Sequence, residues 1–201
     1  MFSRTTFAAL FLALGVSACA TVAPNTLSPQ ETADLRFTSL EVQVPPEASI
    51  RWSSAEDDYL RSRGLSLTDP ALVATPEARA YLRDLVARRL KHALERVIAR
   101  RPEGSRPVRL VATIKRVDIP SAAQRILIGG YPMVQADIAV IDARSGALLT
   151  TYKGAVGMGP AGQGAMMTAV DSLMVSAGAD DLFDRTANGY AEGFRDWLAP
   201  R

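Results

Sequence analysis

Residues 136–149 read Ala-Asp-Ile-Ala-Val-Ile-Asp-Ala-Arg-Ser-Gly-Ala-Leu-Leu, and this stretch determines what kind of sheet the sequence predicts. Apolar residues alternate along it with the period of a strand that buries one face. Asp142 to Gly146 form a tight turn that ends in glycine, so Ala147 to Val156 should return antiparallel to the preceding strand. The inward positions of the first strand, from about Met133 to Asp142, are Val134, Ala136, Ile138 and Val140.

Two further segments have the alternation of strands. The segment from Phe37 to Val44 places Leu40, Val42 and Val44 on one face, and Pro45-Pro46 ends it. The segment from Val108 to Val117 alternates in the same way. Its inward residues are Leu110, Ala112 and Ile114. Together with the hairpin, these segments predict a sheet of about four strands.

Two longer segments have helical periodicity. One begins at Pro76, with Thr75 as its N-cap, and ends near Arg101, before Pro102 and Gly104. Its apolar stripe consists of Ala78, Leu82, Leu85, Val86, Leu90, Ala93, Leu94 and Val97. The other runs from about Asp180 to Leu198. Its apolar positions are Leu182, Phe183, Ala187, Tyr190, Ala191, Phe194 and Trp197.

The predicted elements follow the order β-α-β-β-β-α, which indicates an α+β fold. Because the last three strands are consecutive and include a hairpin, the sheet should be mainly antiparallel, with the two principal helices packed on one face. The sequence shows neither an internal repeat nor a second domain. Residues 36–201 are therefore expected to form a single α+β globular domain.

The N-terminus has the features of an export signal. Arg4 supplies a positive charge, and the apolar run from Phe7 to Val16 is too short to span a bilayer core of ~30 Å as a helix. Small residues follow, which signal peptidases accept, and the run Leu14-Gly-Val-Ser-Ala-Cys19 closes the segment. We expect residues 1–18 to be a signal peptide. An ordinary cleaved signal with an incidental cysteine is the alternative.

The residues Val16-Ser17-Ala18-Cys19 resemble the lipobox of bacterial lipoproteins, with a branched apolar residue, two small residues and then the thiol. The resemblance implies that Cys19 Sγ carries a diacylglyceryl thioether and that cleavage frees the α-amine of this residue. Ala20 stands where an aspartate would resemble an inner-membrane retention signal, so the outer membrane is the expected location. Residues 19–35 are polar and contain two prolines, which predicts a lipidated N-terminus and flexible tether.

Composition excludes several kinds of site. Cys19 is the one cysteine and His92 the one histidine, so disulfides, cysteine metal sites and histidine clusters cannot form. The net charge is +2, which is low for a general nucleic-acid binder. We therefore expect no cofactor and no nucleic-acid partner, and the sequence leaves the oligomeric state open.

Three features have the appearance of reactive sites and are better explained otherwise. Gly157 to Gly164 have G-x-G-x-x-G spacing, but they follow a hairpin strand, so a flexible loop is favoured over a dinucleotide site. His92 lies among arginines and lacks a nucleophile or carboxylate nearby in sequence. Glu56-Asp57-Asp58 fit a helix start better than a cation site. No catalytic residue is predicted, and the protein is not expected to be an enzyme.

Two surfaces are candidates for interaction. Arg83, Arg88 and Arg96 belong to an arginine-rich helix face that could contact anionic groups, although such faces are usually only solvated. The segment Arg125 to Pro132 is strongly apolar and contains Ile126, Leu127, Ile128 and Tyr131. Burial or strand extension is favoured for it over an exposed interface. The methionines after Gly164 fit either an adaptable surface or the core.

The strand from Leu40, the helix from Pro76, the strand from Val108 and the hairpin at 136–149 together resemble small proteobacterial outer-membrane lipoproteins of an uncharacterised family. This resemblance implies an α+β domain and a location at the periplasmic face of the outer membrane, and no active site follows from it. The predicted function is a lipid-anchored accessory domain that binds a protein partner of the envelope. The alternative is a protein that binds lipid or glycan in a cleft between sheet and helices.

Overall fold

The computed structural model of the chain describes residues 22–101, 104–159, 164–176 and 181–199. The predicted signal peptide, residues 1–18, and Cys19 lie outside the described residues. Within them the α-helices are α1 (Pro29–Ala33), α2 (Ser53–Ser62), α3 (Pro76–Ile98), α4 (Ala122–Leu127), α5 (Gly164–Ser176) and α6 (Leu182–Leu198). The strands are β1 (Leu35–Gln43), β2 (Ser49–Trp52), β3 (Arg106–Ile119), β4 (Met133–Asp142), β5 (Leu148–Tyr152) and β6 (Val156–Met158). The fold is α+β.

The strands form one mixed sheet rather than the mainly antiparallel sheet of about four strands that the sequence predicts. Its order is β1-β3-β4-β5, with β2 also paired to β3 and β6 to β4. β1 and β2 run parallel to β3, whereas β4 is antiparallel to β3 and to both β5 and β6. The parallel direction has a physical reason: α2 and α3 lie between β1 and β3, and a helical crossover returns the chain to the same end of the sheet.

The core lies between one face of the sheet and the helices α3 and α6. Along β4, buried residues alternate with half-buried ones. The predicted stripe of α3 is buried except for Leu85, which is half-buried. α6 is fixed to β4 by Tyr190, whose hydroxyl donates to the Ala136 carbonyl at 2.7 Å. Burial of this hydroxyl raises the pKa of Tyr190.

An arginine joins α3 to the start of α6. Arg89 donates through Nε to Asp184 Oδ1 at 2.8 Å, and Arg89 Nη2 lies 2.7 Å from Asp181 Oδ2. Its guanidinium stands over the rings of Trp52 and Phe183, which stack with centroids 4.5 Å apart. Burial alone would lower the pKa of Arg89, but the hydrogen bonds to Asp184 and Asp181 outweigh it and raise this pKa. Arg89 therefore fixes α3 relative to the N-terminal end of α6.

Residues 22–33, which belong to the predicted flexible tether 19–35, lie against the folded domain. Ser28 caps α1 and forms a capping box with Glu31. The Ala23 N–H donates to the Lys153 carbonyl at 2.9 Å, and Trp197 Nε1 donates to the Ala23 carbonyl at 2.7 Å. The N-terminal segment is thus attached to β5 and to the end of α6.

Candidate interaction surfaces

An exposed apolar surface is formed by α4, by the residues that follow it, and by α5, which packs against α4. We call it the α4–α5 apolar surface. Its side chains are between 43% and 85% exposed and comprise Ile126, Leu127, Ile128, Tyr131, Met166, Met167, Val170, Leu173 and Met174. Each offers on the order of 100 Å² of apolar area, so together they present several hundred Å². Exposed apolar patches that exceed a few hundred Å² are uncommon on monomeric proteins, which makes this surface a candidate for interaction.

The amphipathic pattern of α5 is the reverse of that of an ordinary surface helix. Thr168 and Asp171 are buried, whereas Met166, Val170 and Leu173 face solvent. The exposed apolar positions recur at three- and four-residue intervals, which places them along one side of the helix. Because folding has turned the polar side inward, the apolar side of α5 is left without cover among the described residues.

A buried ionic cluster holds α4, α5 and α6 together. Arg125 Nη1 lies 2.6 Å from Asp171 Oδ2, and Arg185 Nη1 lies 2.8 Å from Asp171 Oδ1. Asp171 is only 8% exposed. One carboxylate thus joins a guanidinium from α4 to one from α6. The cluster explains why the polar side of α5 points into the protein.

The structure corrects the prediction for the segment that contains Ile126, Leu127, Ile128 and Tyr131. It neither joins a strand nor enters the core, since Ala122–Leu127 form the short helix α4 and these four side chains are exposed. Ser121 caps the helix by accepting from the Gln124 N–H, and Arg125 is its buried member. Because the side of α4 that carries Arg125 faces the protein, Ile126, Leu127 and Ile128 are left exposed to solvent.

The three arginines predicted as an interaction surface do not lie together. Arg83 donates to the Pro46 carbonyl on the β2 side of α3, whereas Arg96 donates to the Asn188 side chain on α6. Arg88 pairs with Asp84 on the exposed side of the helix. Each thus faces a different neighbour, and the described structure does not form one anion-binding face from them.

β1 is an edge strand with a free side. It pairs with β3 and with no other strand of the described residues. Beside it, a groove of about 260 Å³ is lined by Leu40, Glu41, Val42, Ala87, Arg88 and Lys91. An edge strand presents unpaired N–H and C=O groups that an extended segment of another chain can bond. The sequence predicted the strand but not its place at the edge.

The other predicted features have structural roles or are solvated. His92 is exposed, and Asp58 pairs with Arg61 at 2.9 Å. Glu56 is half-buried, and this burial raises the pKa of its carboxyl. Gly157 belongs to β6 rather than to a loop, while residues 160–163 of the glycine-rich segment lie outside the described residues. No cluster of three or more metal-ligating side chains occurs in the described ranges.

Comparison with known proteins gives no relative. No protein-family model, no curated protein and no solved structure matches the chain. None of the helices in the described part is long and apolar enough to cross a membrane.

Proposed function

We propose that the protein is a lipid-anchored accessory domain at the periplasmic face of the outer membrane, attached through Cys19, that acts by binding a protein partner of the envelope. The lipobox-like residues before Cys19 support the anchor. The exposed apolar side chains of α4 and α5 and the free side of β1 support a binding role.

The single observation that carries the partner-binding proposal is the free side of β1. The partner contributes an extended segment that pairs with this nine-residue strand. Two basic residues, Arg88 and Lys91, and one acidic residue, Glu41, line the adjoining groove, so its excess of positive charge favours an acidic side chain on the incoming segment. Main-chain hydrogen bonds supply affinity in such a mode, and the groove supplies selectivity.

The cleft between sheet and helices, which the alternative function requires, is occupied by the protein's own side chains. Val86, Leu90, Val140 and Phe183 in this layer are fully buried. A cavity of about 410 Å³ lies elsewhere, at the surface between the N-terminal segment and Trp197. These observations favour partner binding over a lipid or glycan carrier.

The anchor is tested by replacing Cys19 with alanine. We expect the Cys19→Ala protein to remain unprocessed or to leave the lipoprotein fraction, because the thioether forms on Sγ. Fractionation of envelopes, with mass spectrometry of the mature N-terminus, measures this. A Ser17→Ala variant serves as control and should be processed normally. Membrane association of Cys19→Ala at the mature size would contradict lipidation.

The partner site is tested with a photo-crosslinking amino acid in place of Gln43, an exposed residue of β1. We expect an adduct with an envelope protein, and severalfold less adduct in the double variant Arg88→Glu/Lys91→Glu because acidic partner residues are then repelled.

The matched control for this experiment is Arg61→Glu/Arg100→Glu. Arg61 has the same 58% side-chain exposure as Arg88, and both pair with an aspartate on their own helix. Arg100 is 62% exposed. The control carries the same change in net charge and should leave the adduct unchanged. Equal loss in both double variants, or no adduct at position 43, would reject the β1 edge as the partner site.

A further inference from the structure

The N-terminal segment leaves the domain in a defined direction. Thr26 bonds to Thr150 through their hydroxyls at 3.1 Å, and the Ala23 N–H bonds to the Lys153 carbonyl. Going from Thr26 back to Ala23, the partner residues advance along β5. The segment thus runs antiparallel to β5 and points, toward its beginning, at β6.

β6 continues the edge that β5 begins. β5 pairs with β4 at residues 138–141, and β6 pairs with β4 at residues 133–135. On β6, Val156 and Met158 are exposed apolar residues. The start of β4, which Met158 faces, is also where α4 leads into the sheet. We call Val156 and Met158 the apolar strip, and it lies between the exit of the N-terminal segment and the start of β4, where the chain arrives from α4.

Four residue-to-residue steps lead from Cys19 to the bonded residue Ala23, and they span at most ~14 Å. From Lys153 to Met158 the edge is five residues long, about 16 Å if extended. The lipid on Cys19 is therefore held within about one strand length of this apolar strip. If all of residues 19–35 formed a flexible tether, as predicted, the distance between the lipid and the apolar strip would not be restricted in this way.

We propose that the α4–α5 apolar surface lies in the headgroup–acyl boundary of the same bilayer that holds the lipid of Cys19. This inference rests on the proposed lipidation. It assigns a second membrane contact and a fixed orientation: the β6 end of the β5–β6 edge faces the bilayer, while the start of β5 and the opposite edge, β1, lie away from it.

The composition of the surface indicates how it meets lipid. α5 contains no basic residue, and its one acidic residue, Asp171, is buried. Insertion of apolar side chains to a depth of ~5–10 Å then supplies the affinity, rather than attraction to anionic headgroups. Vesicles of phosphatidylcholine alone are thus a sufficient probe, and added salt should not release the contact.

The test uses the full lipidated protein in phosphatidylcholine vesicles. The thioether blocks Cys19, so an introduced cysteine is the one free thiol. An environment-sensitive fluorophore is attached to Leu173→Cys in one sample and to Leu148→Cys in the other. These leucines are 70% and 62% exposed, but Leu148 lies at the far end of β5, opposite residue 141 of β4.

We expect the probe at position 173 to shift its emission to shorter wavelength and to be quenched severalfold more slowly by aqueous iodide than the probe at 148. Equal quenching at both positions in vesicles that carry the protein would overturn the inference while leaving lipidation intact. Protection of position 173 in native envelopes but not in pure lipid would also overturn it, since a protein then covers the surface. If lipidation itself fails, the protein does not float with the vesicles.

Discussion

Replacing Asp171 with alanine is expected to lower the free energy of unfolding by about 3–5 kcal/mol. The variant leaves the guanidinium groups of Arg125 and Arg185 without the carboxylate that bridges them at 2.6 and 2.8 Å. Arg125 is 7% exposed, so its guanidinium is largely shielded from the water that could replace the lost partner. Urea denaturation, followed by circular dichroism, measures the change.

A second variant separates loss of the charge partner from loss of packing. In Arg125→Met/Asp171→Leu/Arg185→Met, apolar side chains of similar length replace all three members of the cluster. Replacing a whole buried ionic cluster in this way is commonly neutral or stabilising. We expect its stability to lie near that of the original protein. A loss under about 1 kcal/mol for Asp171→Ala would show that the cluster is not effectively buried.

Replacing Gly157 with alanine is expected to destabilise the protein by about 2–3 kcal/mol, and to weaken the attachment of β6 to α6. A Cβ at this position would lie 2.5 Å from Tyr190 Cβ and 3.0 Å from the Thr186 carbonyl oxygen. β6 cannot retreat freely, because Gly157 is paired with Val134 on β4. Thermal unfolding and hydrogen exchange of residues 156–158 report the effect.

Replacing Gly189 serves as a control, because the expected change in stability has the opposite sign. It lies within α6, and a Cβ there would meet only the Met158 carbonyl oxygen, at the ordinary contact distance of 3.5 Å. Gly189→Ala should therefore stabilise the protein by up to about 1 kcal/mol through helix propensity. A stabilising Gly157→Ala would refute the close approach of β6 to α6.

Local patterns predicted much of the fold. The stripe of α3 follows from spacing, and the turn after β4 follows from Asp142, whose carboxylate accepts from the Arg144 and Ser145 N–H groups at 3.0 Å. The Ser145 N–H, with the other donors, lowers the pKa of Asp142. The apolar stripe and the turn are each determined by residues close together in the chain, so they can be predicted from a single sequence.

The direction of β1 and the orientation of α5 depend on distant residues. A helix between two strands of one sheet indicates a parallel pair, and this signal is present in the sequence between β1 and β3. For α5 the signal was weaker, because its polar side consists of Thr168 and Asp171 among apolar residues. Asp171 is buried only because Arg125, 46 residues away, and Arg185, 14 residues away, converge on it. Sequence spacing does not reveal such a convergence.

The hydrogen bonds of Ala23 also determine how the domain bears a mechanical load. A pull on the N-terminus, directed along β5 toward β6, loads the bonds from Ala23 to Lys153 and from Thr26 to Thr150 in shear. Bonds loaded in shear share the force, whereas bonds that are peeled apart break one after another. Trp197 holds the Ala23 carbonyl from the other side, so part of the force passes into α6. Tension at the N-terminus is thus borne by the sheet edge and a core helix together.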